Sequence, residues 1–383
     1  MLANKAQRSF STAVFLWANA SKGIGKTGST KVKFEMPKGL PRRIEAFDDL
    51  KIKEIRIGLR HSAAITEDGD LYTFGQGNWG VLGHGTEQFI SFNKPKLVEG
   101  LKEKNIKVKD VQLGEYHTIV LAEDGSVWTW GYAGKKGMFN WMYAQEVGAL
   151  GHGDKEPHFY PKRVEWFREN KIKIAKIAAG NYHCVAIDTK NRMYNWGKGQ
   201  YGVLGNGDTS ESMLPQLNEE FEFIKQQCEE EAPGSFGFKK IHSSDNYTAA
   251  VLKDGTIFTW GMNDRGQLGV GNSIGMDMVE SENQPKELSF TQSFPGHELH
   301  NDPVFIQDVY CGQNTMIMRD HENNVFKTGN RLDYIPKKIP FDNELLPPAK
   351  IDQIASGRSH FSVIDTDHNI HTFGNVFKGK EIG

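Results

Sequence analysis

Residues 58–85 read GLRHSAAITEDGDLYTFGQGNWGVLGHG, and residues 180–208 read GNYHCVAIDTKNRMYNWGKGQYGVLGNGD. The two align almost position for position. Each opens on G-x-x-H, runs through an alternating apolar stretch, turns, and closes on an aromatic residue followed by glycine. A glycine-rich G-V-L-G-x-G segment follows in both. Working outward, GEYHTIVLAEDGSVWTWG from Gly114 and DNYTAAVLKDGTIFTWGMNDRGQLGVGN from Asp245 repeat the pattern. So do GQNTMIMRDHENNVFKTGN from Gly312 and GRSHFSVIDTDHNIHTFGN from Gly357. The starts lie about 45 to 67 residues apart. Self-similarity at such a period marks a repeat architecture.

The turns within the units are Asp68-Gly69, Asp124-Gly125 and Asp254-Gly255, with Asn323-Asn324 in another unit and Asn191 and Asn369 close by in two more. These residues tolerate positive φ and suit tight hairpins. Strands such as Val127-Trp128-Thr129-Trp130 alternate and are rich in β-formers. Short strands at regular spacing predict an all-β chain, and a four-stranded unit of this length is a propeller blade.

The succession G-x-x-H, D-G, Y/W-T-W-G and G-x-L-G-H-G resembles the regulator of chromosome condensation (RCC1-like) repeat. His61, His117, His183 and His360 carry it, with Trp130, Trp196 and Trp260. Gly83-His84-Gly85, Gly151-His152-Gly153 and Gly205-Asn206-Gly207 add to it. The resemblance covers nearly the whole chain and implies a seven-bladed β-propeller over residues 13–383. It also implies that the repeat histidines sit on the innermost strands and bond between blades. The aromatic-Gly half recurs seven times, near Trp17, Phe74, Trp130, Trp196, Trp260, Thr328 and Phe373, whereas G-x-x-H occurs six times. The first blade, VFLWANASKGIGKTG, therefore lacks its opening strand. Either residues 1–12 supply it or closure is imperfect. In the sixth of the seven units, Gly329-Asn330 is not followed by G-x-L-G.

Composition narrows the function. The chain has 383 residues and a formal net charge of -2, with an isoelectric point of about 6.7. Direct nucleic-acid binders usually carry a basic face and a higher isoelectric point, so none is expected. Mean hydropathy is -0.54, and no apolar run approaches the ~20 residues of a membrane helix. Eight Trp and 11% aromatics supply a core. Cys184, Cys228 and Cys311 form no C-x-x-C pair, so neither a disulfide framework nor a zinc site is indicated. The first acidic residue is Glu35, preceded by Lys5, Arg8, Lys22, Lys26, Lys31 and Lys33. A basic, Ser-containing, acid-free opening suits a mitochondrial targeting segment within residues 1–12. The matrix, or the matrix side of the inner membrane, is the expected location.

Several glycine motifs imitate nucleotide sites. Ala20 to Thr27 matches a relaxed P-loop, but the sequence after Lys26 alternates instead of opening a helix. Gly75, Gly77 and Gly80 spell G-x-G-x-x-G, as do Gly197, Gly199 and Gly202. Their recurrence in register makes them blade loops. His297 and His300 lack metal-ligand helix spacing. No catalytic residue, cofactor or metal ligand is assigned.

Recognition is expected where the repeat is interrupted. Interruptions fall near 132–147, 216–236 and 272–303. The first holds Met138, Phe139, Trp141, Met142 and Tyr143, residue types enriched at interface cores. These five are the candidate partner-binding residues. Two readings stay open. One is a non-catalytic interaction subunit of a large mitochondrial assembly, such as a respiratory-chain complex or the mitochondrial ribosome. The other, implied by the resemblance, is a guanine-nucleotide exchange factor for a small GTPase.

Overall fold

The computed structural model describes residues 15–16, 42–85, 91–134, 148–271, 281–290, 304–331, 333–339, 351–357, 360–367, 370–376 and 380–381. Among them stand six four-stranded antiparallel sheets, each with its strands in chain order. Blade one comprises Ile52–Ile57, His61–Thr66, Leu71–Gly75 and Phe92–Leu97. Blade two comprises Val108–Leu113, His117–Ala122, Val127–Gly131 and His158–Arg163. Blade three runs through Ile174–Ala179, His183–Asp188, Met193–Gly197 and Ser212–Leu217. Blade four is Phe238–Ser243, Tyr247–Leu252, Ile257–Met262 and Ser281–Glu287. Blade five is Ile306–Cys311, Thr315–Asp320, Val325–Gly329 and Asp333–Lys338. Blade six is Ile351–Ser356, His360–Asp365, Ile370–Val376 and Lys380–Glu381. First strands of successive blades touch one another, so they line the axis. The chain is an all-β propeller.

Two expectations need correction. Seven blades were expected, and six four-stranded blades are present among the described residues. The N-terminal unit appears there as a two-stranded ladder, Phe15–Leu16 against Arg42–Arg43. The sequence explains this, because that unit has an aromatic half without a G-x-x-H half. The repeat histidines open the second strand of their blades, not the innermost first strand. The unit lacking G-x-L-G after Gly329 still builds a full blade.

One bonding scheme explains the repeat. The G-x-L-G loop of one blade lies beneath the third strand of the next. Trp130 Nε1 donates to the Val81 carbonyl at 2.8 Å, Trp196 to Ala149 at 3.1 Å and Trp260 to Val203 at 2.9 Å. All three indoles are fully buried, and a buried indole N–H needs such an acceptor. Gly83 lies under this indole at φ 76, where a Cβ would stand 2.8 Å from Trp130 Nε1. Leu-Gly thus records a backbone pressed against the neighbouring blade. The loop's last glycines, Gly85, Gly153 and Gly207, donate to Phe159, Met213 and Asn283 of the next outer strand.

After the outer strands of blades one to three the chain turns inward and inserts an apolar side chain between blades. Leu101, Phe167 and Phe221 fill this position, each at most 2% exposed. Phe167 meets Tyr194 and Trp196 edge-on at 5.7 and 5.8 Å. Burying such a ring stabilises by roughly 2–3 kcal/mol. Phe47, after the Arg42–Arg43 strand, plays this part against Ile52, Ala64 and Phe74 of blade one. The N-terminal ladder therefore keeps the outer half of a blade and its plug.

The interruption near 216–236 is a helix, Glu219–Glu231. Asn218 caps it, accepting from the Phe221 amide at 3.0 Å. Three glutamates, Glu219, Glu220 and Glu222, complement the positive end of its dipole. Phe221 points into the core and Phe223 stays 59% exposed. The stretch 272–303 contains a regular element, the outer strand Ser281–Glu287 of blade four, so that part belongs to the repeat. Among the described residues no helix is long and apolar enough to cross a membrane.

Candidate binding face

Strand pairing brings two sets of residues to one end of the blades. His61 pairs with Gly75, His117 with Gly131, His183 with Gly197 and Tyr247 with Gly261. The residue before each first partner thus faces the residue after each glycine. Their backbones bond: Gln76 N to Arg60 O, Tyr132 to Tyr116, Lys198 to Tyr182, Met262 to Asn246 and Asn330 to Asn314, all within 2.8–2.9 Å. Gly131, at φ 109, makes this exit possible, because a Cβ there would strike the Tyr116 carbonyl. The repeat holds these paired positions on its loop face while leaving their side chains free to vary.

Beneath this face lies the histidine layer. His61 Nε2 is 2.8 Å from Thr118 Oγ1 and His183 Nε2 is 3.0 Å from Thr248 Oγ1, in each case on the next blade. His117 Nε2 lies 3.2 Å from the Cys184 sulfur. The Thr118 hydroxyl donates to Val81 O at 2.8 Å, so it must accept from His61, which assigns the proton to Nε2. Burial pushes the His61 and His183 pKa values down to about 3 and that of His117 to about 4. They are neutral structural ties, as the repeat implied. In blade four Tyr247 takes the histidine's place and donates to Gly312 O at 2.8 Å. His360 of blade six is exposed. Gly114 and Gly180 open their G-x-x-H motifs because a Cβ would collide with the imidazole that closes the motif.

Above that layer, blades one to three present a connected band. Trp79 and Tyr132 have centroids 4.9 Å apart, Tyr132 and Tyr116 are 6.3 Å apart, and Tyr116 stacks on Tyr182 at 5.8 Å. All four are half-buried. The Arg60 guanidinium lies 4.5 Å over the Tyr116 ring. It bonds Glu115 Oε1 at 2.6 and 3.0 Å and the Tyr116 hydroxyl at 2.6 Å. Burial pushes the Tyr182 hydroxyl pKa up, and the nearby Glu115 and Tyr116 push it further. Lys198 stands 5.4 Å from the Tyr182 ring centroid. Trp79 and Tyr201 occupy one repeat position, at φ 63 and 62. Such a backbone is uncommon for a bulky residue, and strain of this kind clusters at functional sites.

The candidate residues Met138, Phe139, Trp141, Met142 and Tyr143 lie outside the described residues. Their segment leaves blade two just past Tyr132, a member of the band. The P-loop imitation at 20–27, and His297 and His300, also lie outside the described residues. Gly75 and Gly197 end third strands, and Gly77, Gly80, Gly199 and Gly202 lie in the blade loops that follow. Sequence reasoning missed Arg60, Glu115, Tyr116, Tyr182 and Lys198. The signal was there: they are the variable letters inside G-x-x-H and just after aromatic-Gly.

The second charged cluster lies on the axis. Arg56 of blade one reaches Asp110 of blade two at 3.4 Å and Glu54 at 2.6 Å. Asp308 of blade five takes both Lys240 of blade four, at 3.2 Å, and Arg319. The Arg56–Asp110 and Lys240–Asp308 pairs tie neighbouring blades together. Among the described residues no group of three His, Cys, Asp or Glu is placed to hold a metal ion.

Blades that share one bonding scheme around an axis, with their variable residues gathered on one face, define a repeat propeller. A model of the regulator of chromosome condensation (RCC1) repeat matches residues 68–121, 144–187, 190–251 and 254–318. A second model of that repeat matches 108–136, 174–203 and 238–267. The chain belongs to the RCC1 repeat family. It is similar to the E3 ubiquitin-protein ligase HERC2 of Mus musculus, 28% identical over 384 residues, covering 97% of this chain and 7% of that protein. It is also similar to the mitochondrial RCC1 domain-containing protein RUG3 of Arabidopsis thaliana, 28% identical over 282 residues, 72% of this chain and 55% of that one. The chain thus spans less than two thirds of either relative. The solved structure of Prp20p from Saccharomyces cerevisiae superposes with a TM-score of 0.67 at 20% identity, covering 87% of this chain and 74% of that one.

Proposed function

We propose that the chain is a non-catalytic interaction subunit of a larger mitochondrial assembly, and that it binds its partner through the loop face of blades one to three. The observation that carries this reading is the band of Trp79, Tyr132, Tyr116 and Tyr182 with Arg60 laid across it. Tyr, Trp and Arg are the residues most enriched among interface hot spots. A rigid scaffold holds them with little entropy left to lose on binding. The segment bearing Met138, Phe139, Trp141, Met142 and Tyr143 follows in the chain just past Tyr132, a member of this band, and is proposed to take part in the same contact. The acid-free basic opening, and the similarity to a relative named as mitochondrial, support the location.

Native isolation tests the role. The protein should co-purify at fixed stoichiometry with other subunits of a mitochondrial complex. Nucleotide release from a small GTPase should be the same with and without it. Prp20p is described as having binding properties to Gsp1p and histones, and the alternative reading transfers an exchange activity from such a relative. A free monomer in mitochondrial lysate that accelerates nucleotide release would replace the subunit reading with that one.

A further inference from the structure

Five residues occupy the exit of a third strand on the loop face: Gln76, Tyr132, Lys198, Met262 and Asn330. Lys198 is the one cation among these five. It is half-buried, and burial alone pulls its pKa down. No carboxylate among the described residues lies within 4.0 Å of its ammonium, whereas Arg60, the other cation of the band, has Glu115 at 2.6 Å. A partly desolvated ammonium without a counter-charge is unfavourable. A carboxylate brought against it from outside removes that penalty. Beside it runs an aromatic surface, from the Tyr182 ring through Tyr116 to Tyr132 and Trp79. Strained backbones hold Trp79 and one further aromatic side chain, Tyr201, half-exposed.

We propose that this face receives an extended acidic segment of a partner protein, with a carboxylate seated on Lys198 and aromatic or apolar side chains laid along Tyr182, Tyr116 and Tyr132. The inference rests on the protein-binding role proposed above and specifies the chemistry of the partner. Outer blade edges are poor alternatives for an extended segment. Their strands carry Pro95, Pro161, Pro215, Pro285 and Pro336, which remove ladder donors.

The probe is a pair of fluorescein-labelled pentapeptide amides, Glu-Trp-Glu-Tyr-Glu and Gln-Trp-Gln-Tyr-Gln, titrated with the full chain by fluorescence anisotropy. The Glu peptide should bind about ten-fold tighter, a difference of about 1.4 kcal/mol, and the preference should shrink with added salt. Lys198→Gln should abolish the preference, Lys198→Arg should keep it, and Tyr182→Ala should weaken both peptides. Matching circular dichroism spectra and melting curves show that the variants fold. Equal affinity for the two peptides, no binding of either, or a preference that survives Lys198→Gln would overturn the proposal. The broader role is read separately. If Tyr116→Ala with Tyr182→Ala releases the protein from its native assembly while the peptides fail to discriminate, only the acidic specification is lost. If the assembly survives that double variant, the face itself is the wrong surface.

Discussion

The Val81 carbonyl accepts from Trp130 Nε1 and from the Thr118 hydroxyl, each at 2.8 Å. Two donors from blade two thus secure one acceptor of blade one. Removing either leaves the carbonyl satisfied and should cost about 1 kcal/mol for the lost bond, beyond any packing change, with a further ~1–3 kcal/mol for Thr118→Val, which also takes the acceptor from His61 Nε2–H. Removing both leaves a buried acceptor without a donor, at a further ~1–3 kcal/mol. Trp130→Phe and Thr118→Val should therefore be more destabilising together than their sum, in a urea double-mutant cycle. Strict additivity would show that the carbonyl finds another donor. The histidines give a second expectation. Their folded pKa values, about 3 to 4 for His61, His117 and His183, lie below the unfolded value of about 6.5. The unfolded chain binds more protons between those limits, so stability is complete above pH ~6.5 and falls as pH drops toward 4. The urea midpoint should decline across that window, and His183→Gln should flatten the decline while lowering the plateau. A midpoint independent of pH from 6.5 to 4 would contradict buried neutral imidazoles.

At the scale of the element, the second and third strands of each blade are legible because their residues alternate and the turns between them carry Asp-Gly or Asn. The outer strand is not. FNKPKL, HFYPKR, SMLPQL, ENQPKE and DYIPKK are polar and hold a proline, so they read as loops. That is why Ser281–Glu287 falls inside a stretch read as an interruption. The proline is itself the mark of an edge strand, since it withholds the N–H that another chain's strand would need. Pro285→Thr should leave the fold intact and restore that donor. Sedimentation velocity should then show more self-association with rising concentration than in the unaltered protein. Unchanged sedimentation would mean that the flanking lysines and twist already protect the edge. The candidate site was half legible for a related reason. A repeat draws attention to its constant letters, whereas the band is built from the variable ones, Arg60, Tyr116 and Tyr182. The interruptions near 132–147 were visible as breaks in period, but the surface they leave from was not.

For the whole molecule, cohesion comes from repeated blade-to-blade ties: indole to loop carbonyl, histidine to threonine, plug residue to core, and carboxylate to cation along the axis. Such an array holds a face rigid without spending any of that face's own residues on stability. This is why its loop positions can differ from blade to blade while the strands stay alike. Blades one to three carry the aromatic and charged residues, and blades four and five carry Asn246, Met262, Asn314 and Asn330 at the matching positions. Binding through this face should therefore be asymmetric about the axis. Amide hydrogen exchange of the protein in its native assembly, compared with the dissociated chain, tests this most directly. Added protection should concentrate at residues 58–62, 76–80, 114–118, 131–134, 180–184 and 198–203. Protection confined to the outer strands or to the helix Glu219–Glu231, with these segments exchanging alike in both states, would contradict a loop-face interaction protein.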